Sequence, residues 1–499
     1  MCPGIFPNGL FAGIIRESLK RTEKQMDEQN FTGPTDADYA APEKPINYQP
    51  FRLNYRLPDW KDTKGRHQPF RPVDFGTDRF TQKDVYWSRE NAKVEWERIF
   101  ARTWHMVGHI NDIPTPNSFM KVDIGHESIL VVRGENDDLH AFYNVCQHRG
   151  TKLVTQDFGK TKKLVCPFHR WEFTNKGDLL AITDRETFRS EALCHDLNIP
   201  KVKVSNWRGW LFINMDLESE SLEDFLTQDF IDMMAPYDFE RAIRVKDIVQ
   251  EWPVNWKTAH EAFNEGYHVQ ATHPQLAPAN DAYHAQHNIY DNGHALSVYQ
   301  FMTPGPHVAD KVDGTLAPEH KIFLREAGIA EADFPADASE VPHMIIKAKY
   351  AKKDYAIDYN KFSESQLIDS WGIGFFPSTE TFMQAEGFFN QHWRPHPSGD
   401  PEKCIYTAQV YAIKGIGELP SYMGVENADL SGTKVLGRTY LEPDDFASTG
   451  PVISQDRELV PRLQEGMKSK GFNGSVFCDQ EIRLRQFYHE YFQYMNGDK

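Results

Sequence analysis

The chain has 499 residues, 40% hydrophobic and 25% charged, a composition that suggests roughly two to four soluble globular domains with ample core. A formal charge of −17 argues against nucleic acid or an anionic membrane as partner, and no apolar run is long enough to span a bilayer. The six cysteines are scattered without framework spacing, which fits a reducing compartment, the cytoplasm.

Residues 1–78 are polar and Pro-rich and read as an extended arm. Its apolar start, GIFPNGLFAGII, is broken by Pro7 and Asn8 and reads as a packing arm rather than a signal peptide. Residues 80–103 predict a helix capped by Thr81, with Val85, Ala92, Val94, Trp96 and Ile99 on one face. From Trp104 to about residue 216 the pattern changes to short strands (FMKVDIG, SILVVRG, HAFYNVC, KLVCPFH, WEFTNKGDLL, WLFINM), a small all-β domain. Residues 220–245 and 255–270 predict helices, and residues 304–345 an inserted loop or lid. Strand signals return over 371–413. The C-terminus returns to helix, with Val460, Leu463 and Met467 on one face and Leu484, Phe487, Tyr488 and Tyr491 on another.

Within the β domain, Cys146-x-His148 is followed after seventeen residues by Cys166-x-x-His169. Each short motif offers one thiolate and one imidazole, so two loops can clasp a two-iron cluster with Cys on one iron and His on the other. Zinc also takes two Cys and two His, but its usual spacing groups Cys with Cys and His with His. Within residues 149–170, Arg149, Lys152, Lys160, Lys162, Lys163 and Arg170 face only Asp157, a basic stretch suited to an acidic electron donor or to a neighbouring subunit.

A second constellation is NWKTAHEAFNEGYHVQATHP, residues 255–274. Glu265 and His268 are three apart and would share a helix face, and His273 stands where Pro274 ends the helix. Two nearby His with a carboxylate from elsewhere make the facial triad of non-haem Fe(II) oxygenases. The bland alternative is a pair of structural histidines.

The Cys146/His148 and Cys166/His169 pairs, Asn255-Trp256-Lys257 and Glu265-Gly-Tyr-His268 with His273 resemble the large (α) subunit of Rieske non-haem iron aromatic-ring-hydroxylating oxygenases over roughly residues 80–495. The resemblance implies an α+β fold, with a Rieske domain (104–216) inserted into a helix-grip, START-like catalytic domain (79–103 and 217–499) built on a central antiparallel sheet. It implies a 2Fe-2S cluster on Cys146, His148, Cys166 and His169, and mononuclear Fe(II) on His268 and His273. The third iron ligand would be Asp456 at the start of a late helix, with Asp444, Asp445 and Asp479 as competitors. Glu265 would bridge the iron site to a neighbouring subunit's cluster, and Asn255 is a catalytic candidate. Partners implied are O2, a small organic substrate that is apolar or aromatic, a ferredoxin or flavin reductase, and a homotrimer with or without a small β subunit. The activity implied is mono- or dioxygenation, by hydroxylation or oxidative dealkylation. The sequence departs from the family's pattern at Arg170, where a small residue is usual, and at Glu265, where many ring dioxygenases have Asp. A Rieske electron carrier or redox sensor is the alternative, but the nearly three hundred residues downstream of the β domain exceed what a carrier needs.

Overall fold

The computed structural model describes residues 59–61, 67–69, 75–76 and 79–499, apart from 306, 309–310, 353–354, 418, 420–428 and 433. The arm expected over 1–78 lies almost wholly outside the described residues; the antiparallel pair Asp59–Lys61 with His67–Pro69 falls within it.

The β domain holds β1 (His105–His109), β2 (Ser118–Ile124), β3 (Glu127–Arg133), β4 (Leu139–Tyr143), β5 (Phe158–Lys160), β6 (Lys163–Val165), β7 (Glu172–Thr174), β8 (Leu179–Ala181), β9 (Lys201–Trp207) and β10 (Trp210–Asn214). One sheet runs β1-β10-β9-β4-β3-β2-β5 and a smaller one β8-β7-β6. The β9–β10 hairpin turns on Arg208 and Gly209, both at positive φ (50° and 97°), as a two-residue turn matched to strand twist requires. Strands β1, β5 and β9 were not among those expected. KVKVSNW in β9 carries a readable alternation, whereas FGK in β5 is too short to signal anything.

The larger domain is organised on β11 (Ala242–Trp252), β12 (Asn280–Ile289), β13 (Ala295–Phe301), β14 (Ser370–Phe375), β15 (Thr379–Gln384), β16 (Gly387–Pro395), β17 (Cys404–Ile413) and β18 (Thr439–Leu441). They form one sheet in the order β12-β13-β14-β15-β16-β17-β11-β18, antiparallel except for β18, which runs parallel to β11. Helix α9 (Ile482–Asn496) packs on it through buried Leu484, Phe487, Tyr488 and Tyr491, and Arg483 makes a two-pronged buried contact with Glu380 of β15 at 2.7 and 2.8 Å.

Several expected elements need correction. The stretch 80–103 is a single turn at Lys83–Tyr86 and then helix α1 (Arg89–Glu95), tightly followed by a wider turn to Phe100; its N-cap is Ser88, whose Oγ accepts from Asn91 N, not Thr81. The helix expected over 220–245 is two short ones, α2 (Leu222–Leu226) and α3 (Gln228–Met233), broken at Thr227 by a positive φ of 61°, and β11 has begun by Ala242. Residues 304–345 are no loose excursion. They supply α6 (Pro318–Glu326) and the start of α7 (Val341–Ala351), whose Leu324, Val341, Ile345 and Ile346 join the main core. On α8 (Pro451–Met467) the buried stripe is Ile453, Asp456, Val460, Gln464 and Met467, and Leu463 is exposed.

The chain on either side of the β domain returns to one core. Phe80 stacks on Tyr488 with ring centres 4.4 Å apart, and the Tyr86 and Tyr488 hydroxyls are 2.6 Å apart. Glu95 of α1 is buried and accepts from Trp256 Nε1 (2.9 Å), Lys257 Nζ (2.5 Å) and Tyr491 OH (2.6 Å). The two domains also share a buried charge cluster, Asp112–Arg244–Asp247, and Tyr440 OH donates to Asp157 across the boundary. Removing one partner of a fully buried pair leaves the other charge uncompensated. Lys257→Met therefore lowers unfolding free energy by about 3 kcal/mol or more. Urea denaturation checks this, and a loss under about 1 kcal/mol would mean that Glu95 is held by Trp256 and Tyr491 alone.

Candidate metal centres

The two cysteine–histidine loops of the β domain are built alike. Gly150 N donates to Cys146 O and Arg170 N to Cys166 O, each at 3.0 Å. The donor residue in each loop sits at positive φ, 76° at Gly150 and 60° at Arg170. The left-handed position explains why a glycine suits the fourth residue after each Cys, and Arg170 holds it at a steric cost of about 1 kcal/mol.

Cys146 and Cys166 are buried, unpaired in any disulfide and within hydrogen-bond reach of each other. Backbone N–H groups of His148 and Arg149 point at the Cys146 sulfur, and those of Phe168 and His169 at the Cys166 sulfur. Burial opposes ionisation of both thiols. It wins at Cys146, whose pKa is raised, and loses to the amide donors at Cys166, whose pKa is lowered. The His148 and His169 rings lie 4.7 Å apart, and Trp171 stacks on His148 at 4.9 Å. Nδ1 of each histidine is buried and has no hydrogen-bond partner, an arrangement that fits a metal-bound group and is otherwise costly. Among the described residues this set does not close to the mutual spacing of one tetrahedral ion, about 4 Å between ligand atoms. A sulfur pair and an imidazole pair set further apart fit a two-iron cluster and not a single zinc.

The basic stretch beside these loops is less free than residues 149–170 alone suggest. Lys152 faces Asp123 at 3.9 Å, Lys162 faces Glu135 at 3.5 Å, and Lys163 faces Glu172 at 2.8 Å. Asp123, on β2, and Glu135, in the turn between β3 and β4, lie outside the stretch and only the fold brings them near, and Glu172 lies just beyond its end.

The second centre lies where α4 (Trp256–Glu261) and α5 (Val269–Thr272) meet α8. The continuous helix expected over 255–270 is broken between them, so Glu265 and His268 meet through a turn rather than on a helix face. Within the break, the Tyr299 ring of β13 packs so close to Gly266 that a Cβ there would lie 2.4 Å from a ring carbon. His273 follows the end of α5 directly, ahead of Pro274.

His268 Nε2 and His273 Nε2 are 3.3 Å apart, and Asp456 Oδ1 lies 3.5 Å from the first and 3.0 Å from the second. Three cis ligands of an octahedral ion at about 2.1 Å stand about 3 Å apart, so this triangle has the size of one facial triad. Outer contacts fix both rings. His268 Nδ1 faces Glu265 Oε1 at 2.5 Å and His273 Nδ1 faces Gln455 Oε1 at 2.8 Å, which puts the ring proton on Nδ1 and leaves each Nε2 free for metal. Burial opposes charge on His268, but Glu265 and Asp456 outweigh it and hold its pKa above the ordinary histidine value, so a proton competes with metal there. His273 and Asp456 are buried while Tyr267, beside His268, is 57% exposed, so the triad is open on the His268 side.

The competing carboxylates sit elsewhere. Asp445 caps Ser448, Asp479 faces Arg485 at 3.6 Å, and Asp444 is exposed. Asn255 has its side chain engaged in the scaffold: Oδ1 accepts from Lys257 N at the start of α4 and Nδ2 donates to Pro401 O, while its backbone N donates to Gln464. Those contacts position the start of α4. Gln455 was not legible, since nothing in its sequence neighbourhood marks it beyond adjacency to Asp456.

The ring hydroxylating alpha subunit (catalytic domain) family matches residues 239–497, and the Rieske [2Fe-2S] domain family matches residues 103–197. The glycine betaine monooxygenase oxygenase subunit of Chromohalobacter salexigens is 36% identical over 191 residues, which cover 37% of this chain and 40% of that protein. The anthranilate 1,2-dioxygenase large subunit of Acinetobacter baylyi is 29% identical over 222 residues, covering 44% of this chain and 47% of that one. The matches thus span less than half the length of these relatives. A solved quaternary ammonium Rieske monooxygenase superposes with a TM-score of 0.60 at 20% identity, covering 85% of this chain and 98% of the other. Naphthalene 1,2-dioxygenase from Rhodococcus sp. superposes with a TM-score of 0.56 at 17% identity, covering 86% and 97%.

Proposed function

Because the chain belongs to the ring-hydroxylating α-subunit family and carries a Rieske [2Fe-2S] domain, we propose that it is the oxygenase component of a Rieske non-haem iron system, which oxidises a small organic substrate with O2 and electrons from a separate ferredoxin or flavin reductase. One observation carries the reading: a single chain holds both a two-sulfur, two-imidazole set and a two-histidine, one-carboxylate triad. When bound, the cluster supplies electrons and the mononuclear iron supplies open positions for O2 beside the substrate. Cys146, Cys166, His148 and His169 hold the first, and His268, His273 and Asp456 the second. Glu265 and Gln455 hold the two Nδ1 protons, so both imidazoles present Nε2 inward. A mere carrier has no use for the triad.

The substrate class we propose is a quaternary ammonium compound, oxidised by hydroxylation or N-dealkylation. The support is the similarity to glycine betaine and carnitine monooxygenase oxygenase subunits, together with Glu rather than Asp at position 265. A second reading, ring hydroxylation, is favoured by the dioxygenase relatives named for anthranilate and biphenyl. Incubation with a surrogate reductase, NADH and O2 separates them. Substrate-dependent formaldehyde or aldehyde release from glycine betaine or carnitine supports the first; a diol or catechol from an aromatic acid supports the second; O2 uptake with neither sinks the oxygenase reading.

The working assembly we propose is a homotrimer, with or without a small β subunit, in the cytoplasm. No helix among the described residues is long and apolar enough to cross a membrane, and the five described cysteines are unpaired. Phe168, between the cluster ligands, is 56% exposed, as is Tyr267 at the triad, so each centre presents an uncovered aromatic face suited to a neighbour. Glu265, with its Oε1 on His268, would then carry the contact between centres. Glu265→Gln retains both metals and slows cluster-to-iron electron transfer by about tenfold or more, as loss of one charge-assisted hydrogen bond implies. Rapid mixing of reduced enzyme with O2 and substrate reads this, and an unchanged single-turnover rate removes Glu265 from the path.

A further inference from the structure

A second site lies away from both metal centres. A cavity of about 270 Å³ opens between α7, the turn joining β15 to β16 and the neighbouring segment at 355–368, and no residue of the triad lines it. Its walls are mixed: Phe323, Ile345, Tyr355 and Tyr359 give it an apolar and aromatic side, and Glu326, Lys349, Lys352 and Glu386 are its charged lining residues. Glu386 is 6% exposed. Its Oε1 accepts from Lys349 Nζ at 2.9 Å and Tyr359 OH at 2.8 Å, while Oε2 is buried with no hydrogen-bond partner. Burial alone would raise the Glu386 pKa, but Lys349 and the Tyr359 hydroxyl outweigh it and hold it below the usual carboxylate value, so the group is ionised. Lys352 Nζ lies over the rings of Tyr355 at 5.0 Å and Tyr359 at 5.9 Å, and has no ion-pair partner among the described residues. Glu386 and Lys352 feel each other's charge across the cavity without forming a pair.

A buried carboxylate oxygen lacking a donor is expensive unless a ligand supplies one, and the half-buried Lys352 ammonium stands beside it with no protein anion. We propose that this cavity is a binding site for a small zwitterion of the α-amino-acid type, whose ammonium donates an N–H to Glu386 Oε2, whose carboxylate meets Lys352, and whose apolar side chain lies against Phe323 and Ile345. A quaternary ammonium group has no N–H to give to Oε2, so this ligand class is distinct from the substrate proposed for the iron site. Bound there, the ligand ties α7 to the β15–β16 turn.

Calorimetric titration of the full chain with L-phenylalanine as probe tests this. The account expects saturable binding, weakened about tenfold or more when the carboxylate is absent (phenethylamine), the ammonium is absent (3-phenylpropionate), or the nitrogen is trimethylated. Glu386→Gln and Lys352→Met each weaken binding of L-phenylalanine by a similar factor, and His268→Ala leaves it unchanged. Lys352 is less enclosed than Glu386, so Lys352→Met decides the matter if Glu386→Gln fails to fold. No binding of L-phenylalanine, equal binding of the trimethylated analogue, or affinity indifferent to Lys352→Met overturns the proposal. Loss of binding in His268→Ala instead places the ligand at the iron and overturns it as well, while leaving the oxygenase reading intact.

Discussion

Cys146→Ser or Cys166→Ser gives a folded protein without visible cluster absorption and with turnover lost by at least about a thousandfold, since a hydroxyl replaces a thiolate poorly on ferric iron and no other electron entry remains. Each sulfur has two backbone N–H groups aimed at it, donors that favour the thiolate ferric iron takes and work against the burial that opposes it. His148→Ala and His169→Ala act on the other side of the cluster and lose the same absorption, because each removes one of the two buried Nδ1 atoms that lack any protein partner. Absorption and electron paramagnetic resonance of the reduced proteins read the result. A coloured, active double serine variant would falsify the cluster assignment.

His268→Ala, His273→Ala or Asp456→Ala removes about one iron per chain, leaves the cluster spectrum unchanged and lowers product formation by at least about a thousandfold. The three ligand atoms close a triangle with sides of 3.0, 3.3 and 3.5 Å, and removing any one leaves two donors for an ion that needs three. Gln455→Ala has a smaller effect of the same kind, about tenfold in iron affinity, because it frees the His273 ring without removing it. Full iron content and activity in Asp456→Ala would move the third ligand elsewhere, and the described structure offers no other carboxylate within reach.

The chemistry-bearing residues were legible where the signal is local. The Cys146/His148 and Cys166/His169 spacing defines the cluster loops before any fold is known, and Glu265, His268 and His273 crowd into nine residues. Asp456 lies 183 positions beyond His273 and was reached only through resemblance to a family. The break between α4 and α5 was not legible, nor was the packing of the Tyr299 ring against Gly266 inside it, which joins residues far apart in sequence. Glu95 was hidden for the same reason: on α1 it looks like a solvated helix charge, and only the return of α9 turns it into the buried partner of Lys257. The sequence of 304–345 reads as a loop because its helices are short and the segments between them are rich in Ala, Pro and acidic residues, yet four of the helices' side chains reach the core. The helix-capping contacts of the Asn255 side chain were equally hidden, since Pro401 is distant in sequence. The acidic partners of the basic stretch at 149–170 were hidden too, because Asp123 arrives from another strand and Glu135 from the turn after Arg133.

Metals and acid-labile sulfide counted on the anaerobically purified protein decide whether one chain carries both a two-iron cluster and a separate mononuclear iron. The expected result is about three irons and about two sulfides per chain, with zinc below stoichiometry. About one zinc per chain with no sulfide contradicts the cluster, and about two irons with two sulfides after iron supplementation contradicts the triad.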